Sequence, residues 1–135
     1  MGDLIPTLRG AKEFLEWFGR WPSFHDAEIR EIRLSREGPS LSAIHVFKMT
    51  SKLDTKGFYV CESHTTLKLL LSDVTSCELN GFNHQNVIDH LEIYRNESGY
   101  LVTLYPIYGV GGTVTCAAIS IEFEPGIPAA SAYQG

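Results

Sequence analysis

The chain is poor in the features that announce a chemistry. Its three cysteines, Cys61, Cys77 and Cys116, are odd in number and show no CxxC spacing. That usage argues against a disulfide framework and suits reduced thiols in a cytosolic protein. Basic residues stop at Arg95, whereas Glu97, Glu122 and Glu124 follow it. With a formal charge of −5, the chain lacks the basic face that a nucleic-acid binder needs. The acidic C-terminal part would instead suit a basic partner, or simply keep the protein in solution. No apolar run approaches the ~20 residues of a membrane span. The start, Met1-Gly2-Asp3-Leu4-Ile5-Pro6, places an acid where a signal peptide wants bases, and Pro6 spoils the myristoylation pattern. A cytoplasmic protein without membrane contact is the expectation.

Catalytic signatures are equally scarce. There is no GxSxG, no HExxH and no HxH. Gly109-Val110-Gly111-Gly112 lacks the following Lys-Ser/Thr of a phosphate loop and reads as a turn between strands. Neither Cys61 nor Cys116 has a neighbouring base in sequence.

What is present is an ordinary globular composition in 135 residues, 44 % hydrophobic and 20 % charged, which fits one domain able to bury its own core. Leu8, Ala11, Phe14, Leu15 and Phe18 recur at helical spacing, with Arg9, Lys12, Glu13 and Glu16 opposite. The spacing predicts a helix over about 9–18, with Thr7 as N-cap and Gly19 as the stop. From Ala27 onward the pattern changes to alternation. Ile29 has one parity while Ile32 and Leu34 have the other, which a bulge near Arg30-Glu31 would reconcile. A helix is the competing reading there. Leu41–Thr50 carries apolar residues on both parities and predicts a central strand covered on both sides.

Residues 51–57 read as an exposed loop. Phe58–Cys61 and Thr65–Leu71 read as strand, and Asp73 as the start of a connection through Val74, Cys77 and Leu79. Val87–Tyr94 is a further strand candidate. Asn96-Glu97-Ser98-Gly99 makes a hairpin turn, and Tyr100–Tyr108, broken by Pro106, is its partner. Thr113–Phe123 alternates again. The sum is an α+β domain over residues 1–125, with a frayed tail over 126–135. It holds one N-terminal helix packed on a mainly antiparallel sheet of six or seven strands, strongly curved or sandwich-like.

Two stretches stand out chemically. The first is Trp21-Pro22-Ser23-Phe24-His25-Asp26-Ala27-Glu28, where helix gives way to strand. In an extended chain Asp26 and Glu28 share a face opposite His25. Together with imidazoles from His45, His64, His84 or His90 they could hold a divalent metal. The blander account has His25 or Asp26 capping backbone amides at the strand start. The aromatics Trp17, Phe18, Trp21 and Phe24 suit a packing plug better than a ligand shelf, because such rings bury the most area. The second stretch is Asn80-Gly81-Phe82-Asn83-His84-Gln85-Asn86, a strong turn signal followed by hydrogen-bonding side chains. It is either a polar recognition loop or one that satisfies its own backbone.

These two stretches, with Phe18-Gly19 before them and Tyr108-Gly109 and Cys116 after, resemble the immunity protein 50 family of bacterial polymorphic toxin systems. The resemblance runs from about Phe14 to about Pro125. It implies a cytoplasmic protein, free of catalysis and cofactor, that binds and neutralises a cognate toxin domain. A basic, nuclease-like toxin would match the acidic charge. The matched residues nominated as a functional or fold-defining motif are Trp21, His25, Asp26 and Glu28, with Phe82, Asn83, His84, Gln85 and Asn86. The alternative is a metal-dependent hydrolase or ligand-binding enzyme built on His25, Asp26, Glu28 and His84. A homodimer formed through an exposed strand edge is a third reading.

Overall fold

The N-terminal helix α1 spans Ala11–Phe18, between two left-handed residues, Gly10 at its start and Gly19 at its end. Thr7 is not its cap. It ends a short 3-10 turn, Ile5–Thr7, and its hydroxyl donates to the Leu4 carbonyl. Gly10 takes over because the chain must double back there against the sheet. The Ile121 amide donates to the Arg9 carbonyl at 2.7 Å, and Arg9 bridges Ser120 in parallel. A Cβ on Gly10 would overlap the Ile121 carbonyl, and its φ of +85° disfavours any other residue. The computed structural model describes residues 3–127, so the frayed tail expected over 126–135 lies almost wholly outside the described residues.

Six strands follow: β1 (Ala27–Arg33), β2 (Ser40–Leu53), β3 (Tyr59–Asn80), β4 (Val87–Asn96), β5 (Gly99–Tyr108) and β6 (Gly111–Pro125). All neighbours pair antiparallel in the order β1-β2-β3-β6-β5-β4, and β4 pairs back onto β1. Among the described residues the sheet is therefore one closed barrel with a single α-helix beside it, and closure removes the edges that an open sheet would leave bare.

The interior is filled by alternate strand residues. Ile44, Leu67, Leu69, Ile88 and Ile93 are fully buried. The mouth near the helix is filled by Phe14 and Phe18, stacked with centroids 5.3 Å apart, and by Trp21 and Phe24 packed edge to face. Trp17 does not join this plug. It is 46 % exposed on the flank, where its indole N–H donates to the Thr65 hydroxyl at 2.9 Å. Leu41 to Val46 are all buried, as a strand covered on both faces requires.

Bulges explain the breaks in alternation. The shift in β1 falls between Ile29 and Glu31. In β3 the alternation falters at Asp73, where φ is +53°, and between Val74 and Ser76. The strand nonetheless runs on to Asn80, so the connection expected from Asp73 is strand paired with β6. A second such correction concerns Pro106. It lies within β5, at an irregular stretch of the β4–β5 ladder where a missing N–H is tolerated.

β2 and β3 also outrun the barrel. Pairing of β2 with β1 stops at His45, and pairing of β3 with β6 stops at Thr65. Beyond those points the two strands form a ribbon. The strand reaches Leu53, so only Asp54–Gly57 of the expected loop is turn, closed by the Asp54 carboxylate accepting from the Lys56 and Phe58 amides. Met49, Leu53, Phe58 and Tyr59 are exposed on this ribbon.

Gly10→Ala should lower unfolding free energy by more than 1 kcal/mol, roughly 1–3, because strain and steric overlap add at one position. Urea denaturation of the variant against the parent chain measures it.

Candidate functional site

The first motif turns the chain from helix into barrel. Phe24 and Asp26 both have φ of +63°, and the Ala27 amide donates to the Phe24 carbonyl at 2.9 Å. This tight turn drives Phe24 inward and throws His25 and Asp26 out to solvent. It also breaks the alternation that would have put Asp26 and Glu28 on one face. Glu28 lies half-buried, bonded at 2.6 Å to the Arg30 guanidinium, whereas Asp26 contacts His25 at 3.5 Å. Among the described residues, neither the His25 nor the Asp26 side chain forms the expected cap on a backbone amide. His25 Nδ1 instead meets Asp89 Oδ1 at 3.2 Å.

Asn86 organises the second motif. It is the one buried side chain of its loop, and both its oxygen and its nitrogen are bonded. Asn86 Oδ1 accepts from the Asn83 amide at 3.1 Å and from the Val110 amide at 2.9 Å, while Nδ2 donates to the Asn83 carbonyl at 2.8 Å. Asn83 Oδ1 accepts in turn from the Gln85 amide. A Cβ on Gly109 would run into Asn86 Oδ1 and the Gln85 carbonyl, so glycine is required there as well. Phe82, His84 and Gln85 remain exposed on the outside of this self-bonded loop.

The two motifs meet through the backbone where the barrel closes. The Ile29 amide donates to the Asn86 carbonyl at 2.8 Å and the Asp26 amide to the Ile88 carbonyl at 3.0 Å, with Glu28 opposite Val87. His25 reaches past the 83–86 loop to Asp89.

Asp89 is the start of a side-chain chain that the sequence reading missed. The β4–β5 register passes from Ile88 opposite Pro106 to His90 opposite Tyr105, leaving Asp89 as the bulged residue. With Ile88 buried, alternation sends Asp89 outward, and the bulge lets His90 face outward beside it. His90 Nδ1 bonds Asp89 Oδ2 at 2.7 Å, and His90 Nε2 lies 3.5 Å from Glu92 Oε1. The hydroxyls of Tyr94 and Tyr105 both donate to Glu92 Oε2, and the Tyr105 ring stacks on His90 at 4.0 Å. The bond with His90 holds the Asp89 carboxyl below its usual range. The bond to Glu92 raises the Tyr94 phenol, which stays a donor. Alternation of His90, Glu92 and Tyr94 with Leu91 and Ile93 was visible in the sequence. The bulge at Asp89 and the partner Tyr105 needed the register.

The remaining histidines do not join this chain. His45 is fully buried and meets His64 at 2.9 Å between their rings, with Phe47 alongside. Burial, aided by His64 and Arg30, lowers the His45 pKa to about 4, and burial lowers that of His64. Among the described residues no group of three or more His, Cys, Asp or Glu is arranged to hold a metal ion. His25, Asp26, Glu28 and His84 therefore do not assemble the metal centre that the hydrolase reading required.

The architecture is that of a small closed antiparallel barrel, plugged by one helix, with an outward polar and aromatic face. The chain belongs to the immunity protein 50 family, whose profile matches residues 10–124. No curated protein and no solved structure matches it.

Two measurements check this geometry. Asn86→Ala leaves two amide donors without their acceptor and should cost roughly 2–4 kcal/mol in urea unfolding, with Asn86→Asp keeping part of that loss. A His neutral in the fold, with lowered pKa, loses stability once the unfolded chain protonates. Stability should thus fall as pH drops from about 6.5 towards 4, by up to roughly 3 kcal/mol from His45. His45→Gln should flatten that dependence in unfolding curves measured across this pH window.

Proposed function

We propose that this protein is a non-catalytic immunity protein, which binds a cognate toxin domain and blocks it in the cytoplasm of the cell that makes both. The observation that carries this reading is membership of the immunity protein 50 family over nearly the whole chain. The structure supports it in kind. Outward side chains of the first motif bond one another and the β4 face, as the parts of a rigid contact surface do. The formal charge of −5 favours a basic toxin such as a nuclease, since opposite fields speed encounter. Residues 1–125 act as the binding domain. Of the nominated residues, Asn86 and Trp21 serve the frame, while His25, Asp26, Phe82, His84 and Gln85 are placed for contact.

The hydrolase reading has no comparable support, because its four residues form no metal-holding group among the described residues.

Co-expression with the toxin encoded beside this chain should restore growth that the toxin alone abolishes. The purified pair should migrate as one complex, and the chain alone should leave the toxin's substrate unchanged. Failure of both rescue and complex formation overturns the proposal.

A further inference from the structure

We infer that the toxin-facing surface is the outer face of β4 and β5, continued across His25 into the cleft beside α1, and that its occupant is a protein surface presenting arginine or lysine. This inference rests on the reading above and says where the contact lies.

Charge comes first. Asp26, Asp89 and Glu92 place three carboxylates along one side of the barrel, bridged by the imidazoles of His25 and His90. Hydrogen bonds fix two of these carboxylates before any partner arrives. Asp89 is held by His25 and His90, and Glu92 by two tyrosine hydroxyls. A carboxylate held this way gives up little freedom on binding, and its remaining acceptor sites suit the forked donors of arginine.

The surroundings point to a protein and not to a free ion. Tyr94 is 48 % exposed and Tyr105 38 %, and Ile107 and Tyr108 continue the exposed apolar surface further along β5. Tyrosine is enriched at protein interfaces and at their energetic centres. At His25 the surface drops into a cleft of about 180 Å³, lined by Phe18, Pro22, Phe47 and Met49, with Arg20 and Ser23. The cleft gives an apolar side chain of the partner somewhere to anchor, next to the carboxylates that would hold its basic neighbours. His25 joins the two halves, because it both lines the cleft and bonds Asp89.

The far end of β6 supplies a control. Glu122 lies opposite Lys68 of β3, beyond Cys116, where the pairing of β6 with β5 stops. Glu122 is exposed there, so Glu122→Lys makes the same charge change away from the proposed surface.

The test measures binding of the adjacent-encoded toxin, inactivated by mutation, to the full chain and to Asp89→Lys, Asp89→Asn, Glu92→Lys and Glu122→Lys. Thermal melts of each variant report folding. Asp89→Lys and Glu92→Lys should each weaken binding roughly tenfold or more, much of it in the association rate and diminishing in high salt. Asp89→Asn, nearly the same shape, should weaken it less but measurably. Glu122→Lys should stay within about twofold of the parent chain. Parent-like binding by the Asp89 and Glu92 variants overturns this inference while the proposed function stands. Absence of binding by the parent chain overturns both.

Discussion

Closure of the barrel at the β1–β4 seam is the constraint on which the rest depends. The seam is short, a few backbone bonds between residues 26–29 and 86–88. It would be weak if its two sides had to find each other unaided. They are instead set beforehand by tight local structure. A turn with two left-handed residues delivers Ala27 from one side, and the Asn86 amide locks its loop onto the Val110 amide from the other. Side chains that satisfy backbone donors within a few residues cost little entropy to place, because the chain there has few other options. Both unusual sequence motifs are thereby explained as the two halves of one fastening.

What the sequence made legible follows from what periodicity encodes. Alternation and helical spacing depend on neighbours along the chain, so α1, the bulge at Arg30 and the doubly covered stretch of β2 could be read directly. Features set by partners far along the chain could not. Asp73 and Pro106 look like strand breakers, yet each lies within a strand because irregular pairing absorbs it. Asp89 and His90 both face outward because of a bulge whose existence depends on β5. Trp17 looked like part of the aromatic plug, but its stripe of α1 faces the flank, where Thr65 captures it. For the candidate site, the motifs themselves were visible, whereas their junction and the Glu92–Tyr105 contact required the register.

The same architecture separates frame from surface. Trp21, Phe24 and Asn86 turn inward from segments whose adjacent residues, His25, Asp26, Gln85 and His84, turn outward. A rigid turn thus positions outward side chains with little tolerance for misplacement, which is how a small scaffold can hold a defined surface without long loops. His45, fully buried, and His64, half-buried, belong to the frame. Burial disfavours the charged form of each, and they form a polar pair at the point where the barrel gives way to the ribbon.

Among the described residues, that ribbon has two strand flanks with no third strand against them, since neither β1 nor β6 extends that far. Bare flanks with exposed Met49, Leu53, Phe58 and Tyr59 invite annealing between molecules. Lys48, Lys52 and Lys56 are spaced along the same segment, the richest in lysine in the chain. Their mutual repulsion between copies would act as a guard, letting the protein accumulate without clumping on itself.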